Sequence, residues 1–119
     1  MVKPLVENEK LLRGILPIYV KSDNTISSAA FKPRNGEGVS VDRVADRTLE
    51  DAIEFLLAKL KRSNRVGSIT VKQCNDIPVN IVLSPSTSDP FHVEIYSEDK
   101  APLDSIKYEN LAKLAVLER

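Results

Sequence analysis

The spacing of apolar residues changes from a helical period to a strand period near residue 65, which restricts the chain to a mixed fold. In residues 49–62 the apolar positions recur three and four residues apart, at Leu49, Ala52, Ile53, Leu56, Leu57 and Leu60. This spacing is typical of a helix with one buried side. Thr48 is a suitable N-cap, and acidic residues precede basic ones along the segment, which suits the helix dipole. We therefore predict a helix over residues 49–62.

Two further segments are interpreted as helices. In residues 103–117, Pro102 suits the first turn, and leucines with Ile106 form a second apolar stripe of looser period. A short N-terminal helix over residues 6–14 is also considered, because Gly14 would end it and Pro17 would prevent its continuation.

Strands are predicted where the period is two. Three runs alternate apolar and polar residues: Ile69 and Val71; Val79, Ile81 and Leu83; Phe91, Val93 and Ile95. Residues 26–31 and 39–44 flank an Asn35-Gly36 turn signal and form either a hairpin or a broad loop. The prediction is one α+β domain spanning residues 1–119. It has a mostly antiparallel sheet of four to five strands, covered by one layer made of the two main helices.

Composition excludes several classes of protein. The 17 Lys and Arg residues balance 17 Asp and Glu, which argues against binding of duplex nucleic acid. Cys74 is the only cysteine, so an intrachain disulfide and a cysteine-based zinc site are excluded. No apolar run is long enough to span a membrane, and the first ten residues lack the apolar core of a signal peptide. A cytoplasmic location is therefore expected.

The common catalytic motifs are missing. With four glycines, the chain has no dinucleotide-binding or Walker glycine loop and no Gly-x-Ser-x-Gly elbow. His92 and Glu94 have the spacing of a zinc deaminase motif, but the cysteine pair that this chemistry needs is absent. No cofactor and no metal site are predicted, and the sequence leaves open whether the protein is an enzyme.

One polar segment is not explained by packing alone. It runs from Ser27-Ser28-Ala29-Ala30-Phe31 to Gly38-Val39-Ser40-Val41-Asp42-Arg43, and Pro90-Phe91-His92 follows later. In these residues the chain resembles short prokaryotic proteins that place Ser-Ser-x-Ala-Phe before Gly-x-Ser-Val-Asp-Arg and carry a later Pro-x-His. The resemblance covers about a third of the chain and implies no assigned activity. It supplies four candidate ligand-binding residues: Ser28, Ser40, Arg43 and His92.

Two functional hypotheses follow. The first is a non-enzymatic interaction module that binds a protein partner, or a second copy of itself, through a sheet edge or the C-terminal helix. The alternative is a small enzyme or sensor for an anionic or nucleotide-like ligand. In it Arg43 would hold the anion, His92 would serve as acid or base, and the two serines would orient the ligand. The structural alternatives are an ordinary ion pair for Arg43 and a half-exposed strand histidine for His92.

Overall fold

Residues 3–119 form one antiparallel sheet with helices on both of its faces in a computed structural model. The strands are β1 (Lys10–Ile15), β2 (Val39–Arg43), β3 (Arg65–Thr70), β4 (Asn80–Leu83), β5 (His92–Tyr96) and β6 (Val116–Leu117). The helices are α1 (Leu49–Lys59), α2 (Val71–Asp76) and α3 (Ser105–Leu114), with 3-10 helices at Pro17–Tyr19 and Ser28–Phe31. The strand order is β4-β5-β2-β1-β3-β6, and every neighbouring pair is antiparallel. The predicted α+β class with an antiparallel sheet is confirmed.

The predicted N-terminal helix does not form, because most of its residues belong to a central strand. β1 lies between β2 and β3, and both of its faces are covered. Leu11 and Leu12 are adjacent and both fully buried, although their side chains point to opposite faces. A strand buried on both sides does not alternate apolar with polar residues, so the period-two signal is missing.

The two main helices pack on opposite faces of the sheet, and the predicted single layer is wrong. On one face, α1 buries Ala52, Ile53 and Leu56 against Leu12 and Val66. On the other face, α3 contributes Leu111 and Ala112 to a larger core that contains Leu11 and Phe31. Each helix is shorter than predicted, and the chain continues after α3 into β6.

Two segments predicted as strand are helical. Val71 begins α2, because the Thr70 hydroxyl accepts from the Gln73 N–H while the Gln73 side chain accepts from the Thr70 N–H. This reciprocal capping box starts a helix directly at the end of β3. Residues 28–31 form a 3-10 turn capped by Ser27, so the segment before β2 is a broad loop rather than half of a hairpin. With β1 and β6 included, the sheet has six strands instead of four or five. Within residues 3–119, no helix has both the length and the apolar character needed to cross a membrane.

Candidate functional site

Strand register places two of the four predicted site residues on one face of the sheet. β2 and β5 pair so that Asp42 lies opposite His92 and Ser40 lies opposite Glu94. Paired residues point to the same side of a sheet, so these four side chains share a face, the one on which α1 packs. Arg43 follows Asp42 in the same strand and therefore points to the other face.

A shared carboxylate joins Ser40 to His92. The Ser40 hydroxyl donates to Oε2 of Glu94 at 2.7 Å, and Nε2 of His92 lies 2.5 Å from the same oxygen. In a nucleophilic triad the imidazole accepts the serine proton and the carboxylate lies on the far side of the ring. Here the carboxylate lies between serine and histidine. This arrangement holds both side chains in place but does not activate the serine.

A buried ion cluster adjoins His92. The Lys59 ammonium lies 3.0 and 2.9 Å from the two carboxylate oxygens of Asp42 and also bonds Oδ2 of Asp89. The side chains of Asp42 and Asp89 are 1 % and 8 % exposed, whereas those of Lys59 and His92 are each 29 % exposed. Nδ1 of His92 lies 3.7 Å from Asp89. Lys59 thus compensates two carboxylates that could not both remain charged and buried without a partner.

The pKa values of the two buried carboxyl groups are shifted in opposite directions from the ordinary value. Burial, together with the hydrogen bond to Asp89, raises the pKa of Asp42 to about 6, although Lys59 acts against this rise. Burial alone would also raise the pKa of Asp89. Its hydrogen bonds with Asp42, with Lys59 and with the Phe91 N–H outweigh that effect and lower its pKa. Asp42 therefore binds a proton below about pH 6 and releases it above that pH.

We expect this proton to make stability depend on pH. Between the ordinary pKa of 3.8 and the folded value of about 6, the folded state binds more protons at Asp42 than the unfolded chain does. The contribution of Asp42 to the free energy of unfolding is therefore complete below about pH 4. It falls by up to about 3 kcal/mol as pH rises through the folded pKa. Asp89 has the opposite dependence. Because its pKa is lowered in the folded state, Asp89 contributes stability above its ordinary pKa of 3.8, and this contribution is lost as pH falls below that value.

Urea unfolding of the wild type and of Asp42→Asn, at about pH 4 and about pH 7, measures this effect. The wild type should lose stability relative to the variant as pH rises. Parallel pH profiles of the two proteins would show that Asp42 does not hold the proton.

Three side chains of the cluster have the chemistry of metal ligands. Atoms of Asp42, Asp89 and His92 that could coordinate an ion all lie within 4.8 Å of one another. Two carboxylates and an imidazole form a ligand set suited to several divalent metals. The sequence predicted no metal site, because these residues come from two strands and a loop without a recognisable spacing. The Lys59 ammonium bonds both carboxylates, so a metal ion would have to displace it.

An arginine stacked on an aromatic pair borders the cluster. The guanidinium carbon of Arg47 lies 3.5 Å from the ring centroid of Phe91, which packs edge-to-face on Phe55 at 5.7 Å. Nε and Nη2 of Arg47 donate to the carbonyl groups of Val44 and Arg43 at 3.2 and 2.6 Å. Nη1 is buried and has no hydrogen-bond partner within residues 3–119. Arg47 therefore keeps an unused donor beside the Phe91 ring.

Arg43 forms a buried ion pair on the opposite face. Its Nε and Nη2 lie 2.7 and 2.8 Å from the two carboxylate oxygens of Glu9, and the two side chains are 4 % and 6 % exposed. The guanidinium also donates to the carbonyl groups of Lys3 and Pro4. Burial alone would raise the pKa of Glu9, but hydrogen bonds, first of all from Arg43, lower it. An anionic ligand would have to displace Glu9 to reach this arginine.

The four predicted site residues therefore do not converge. Ser40 and His92 meet through Glu94, whereas Arg43 lies on the other face. Ser28 begins the 3-10 helix whose Ala30 and Phe31 enter the core beside α3. A cavity of about 510 Å³ borders Arg43, and most of its surface is apolar. The charged groups of Arg43 and Glu9 at this cavity already form an ion pair with each other.

Sequence reasoning missed the residues that organise this site. Lys59 lies among other basic residues at the end of the first predicted helix, and Asp89 lies in a segment rich in Ser and Pro, so neither residue stands out in the sequence. Glu94 could have been found from the sequence, because it lies two residues after His92 in a predicted strand and its side chain must therefore share the face of His92. The contacts of Lys59 with Asp42 and Asp89 span 17 and 30 residues and depend on how α1 crosses the sheet.

A second functional feature is the open edge formed by β4. The Ser84 N–H donates to the His92 carbonyl at 2.9 Å, which makes this a hydrogen-bonded pair of the β4–β5 ladder. Such pairs alternate along antiparallel strands, so Val82 also bonds to β5, whereas the main-chain groups of Ile81 and Leu83 point away from it. No group within residues 3–119 bonds to these outward N–H and C=O groups.

Comparisons with known proteins add no function to this geometry. No family model, no curated protein and no solved structure matches the chain. The function is therefore inferred from its own residues and contacts.

Proposed function

We propose that this chain is a non-enzymatic interaction module that binds an extended protein segment along β4. The observation that carries the proposal is the pair of outward-facing residues, Ile81 and Leu83, whose four main-chain groups have no partner within residues 3–119. Strand addition at a sheet edge uses such groups for affinity and alternate side-chain positions for specificity. The cytoplasmic location expected from the sequence stays a prediction.

The chemistry of β4 supports this role. Residues 79–84 carry no charge, and β4 itself contains neither a proline nor a lysine, the usual means of blocking an edge. Ile81 and Leu83 are half-buried against the larger core, so a bound strand would extend that core. The polar cluster supports a non-enzymatic role as well. Ser40 bonds Glu94 and Lys59 bonds Asp42, so within residues 3–119 neither pair presents an activated serine.

Selection from a displayed library of linear peptides, followed by backbone NMR of the complex, tests the proposal. Selected peptides should alternate apolar and polar residues, and their largest amide shifts should fall on Ile81 and Leu83. The edge amides of β6 serve as the internal control and should not move. Failure to select any peptide, or shifts centred elsewhere, would contradict strand addition at β4.

A second candidate function, the binding of a small anionic ligand, is favoured by Arg47. Its buried Nη1 lacks a partner within residues 3–119, and the Lys59 ammonium lies 5.2 Å from the ring centroid of Phe55 in the same aromatic pair. Lys59 also bonds Asp89, which lies 3.7 Å from Nδ1 of His92. Glu9 holds Arg43, so Arg47 would replace it as the residue that contacts the anion.

Thermal unfolding with and without phosphate, nucleotides and phosphorylated metabolites tests this second function. A true ligand should raise the melting temperature of the wild type but not of Arg47→Gln or His92→Ala. The exposed-site variant Arg62→Gln should respond like the wild type. An equal response of all four proteins would rule out the Arg47 site.

A further inference from the structure

We infer that the segment bound at β4 is β4 of a second copy of this chain, paired antiparallel around a two-fold axis at Val82. The inference rests on the proposed function and names the partner at that same edge. In this arrangement Val82 faces Val82 of the other copy, and Ile81 faces Leu83. Two six-stranded sheets then join into one continuous sheet.

The pairing is favoured because β4 is complementary to itself. Ile81 and Leu83 both point outward and are two residues apart, so a two-fold axis at Val82 brings each of them opposite the other. Each of these pairs can exchange two hydrogen bonds, which gives four across the axis and uses all the outward groups of β4. An interface related by a two-fold axis must be self-complementary in this way.

The two neighbouring registers would form hydrogen bonds with fewer of the outward main-chain groups of β4. An axis at Leu83 would place Ile81 opposite Pro85, which has no N–H to donate. An axis at Ile81 would place Leu83 opposite Val79, whose N–H is already bonded to the Cys74 carbonyl at 2.9 Å. The register centred on Val82 is therefore the one that satisfies both residues.

The side chains agree with this register. On one face, Ile81 of each copy would lie beside Leu83 of the other and cover apolar surface that is half-buried in the single chain. On the other face, the two Val82 side chains would meet at a non-hydrogen-bonded position, where the Cα atoms approach to about 4.5 Å. Because β4 has four residues, the contact falls short of the roughly 800 Å² per partner of a standard stable interface. We therefore expect a weak and reversible dimer.

Charged substitutions at Val82 test the pairing, because the two-fold axis places Val82 of one copy opposite Val82 of the other. Sedimentation equilibrium from about 10 µM to about 1 mM should show the wild type associating to a dimer. Val82→Lys and Val82→Glu should each weaken association at least about tenfold, because like charges would face each other across the axis. An equimolar mixture of the two variants should associate again. Val116→Lys, on the opposite edge strand, is the matched control and should dimerise like the wild type.

Three results would overturn the inference. One is a wild type that stays monomeric up to about 1 mM. The others are a dimer that survives both Val82 variants and a dimer that Val116→Lys disrupts. A monomer that still binds selected peptides at Ile81 and Leu83 would reject self-pairing alone. A monomer that binds no peptide there would reject the proposed function as well.

Discussion

Replacing Arg43 by methionine should lower the free energy of unfolding by about 3–5 kcal/mol, because it leaves the Glu9 carboxylate buried without its partner. The two side chains are 4 % and 6 % exposed and are joined by two hydrogen bonds, so the variant loses both bonds to a largely buried carboxylate. A domain of this size is stable by roughly 5–15 kcal/mol, so the loss is a large share of the total. Urea unfolding at neutral pH measures it, with the exposed-site variant Arg62→Met as the control.

The double variant Arg43→Met with Glu9→Leu separates charge burial from packing. Removing both partners also removes the uncompensated charge, so much of the lost stability should return. If Arg43→Met alone unfolds with the stability of the wild type, the arginine does not hold the fold together. A ligand-binding role for Arg43 would then regain support.

Replacing Phe31 by alanine should cost about 3–5 kcal/mol, the usual range for truncating a fully buried aromatic side chain. Phe31 is 0 % exposed and lies in the core between the sheet and α3. The matched control from the same motif is Ser28→Ala, because Ser28 is a half-exposed polar residue of the same 3-10 turn. Its cost should stay within about 0.5 kcal/mol.

Thermal and urea unfolding of these two variants also identify the role of the Ser-Ser-x-Ala-Phe segment. A large loss of stability in Phe31→Ala with a small loss in Ser28→Ala would show that this segment stabilises the fold through Phe31. A large loss in Ser28→Ala, or a neutral Phe31→Ala, would contradict that assignment.

The parts of the fold that were predictable from sequence are those with one buried face. The stripe through Ala52, Ile53 and Leu56 predicted α1, and the alternation around Val93 and Ile95 predicted β5. β1 was mistaken for a helix because it is covered on both sides and so has no alternation to detect. α2 was missed because six residues are too few to establish a helical period, and its capping box overrides the strand pattern at Val71.

The candidate site was only partly predictable, for a different reason. Ser40 and His92 were candidates because both belong to the motif of the resemblance, and the structure joins them through Glu94. Strand alternation places Arg43 on the opposite face from Asp42, but only the β2–β5 register shows that His92 shares the face of Asp42. The partner of Arg43 could not be found, because Glu9 lies 34 residues away in a segment assigned to the wrong kind of structure.

The most direct measurement of the central claim is hydrogen exchange at single amides of β4 in dilute solution. The amides of Ile81 and Leu83 point outward and have no partner within residues 3–119. They should therefore exchange at least about 100-fold faster than those of Val82 and Ser84, which bond to β5. This alternation along one strand is the result expected of an open edge ready to accept another strand. Equal protection of all four amides would mean that the edge is already covered, and strand addition at β4 would then be wrong.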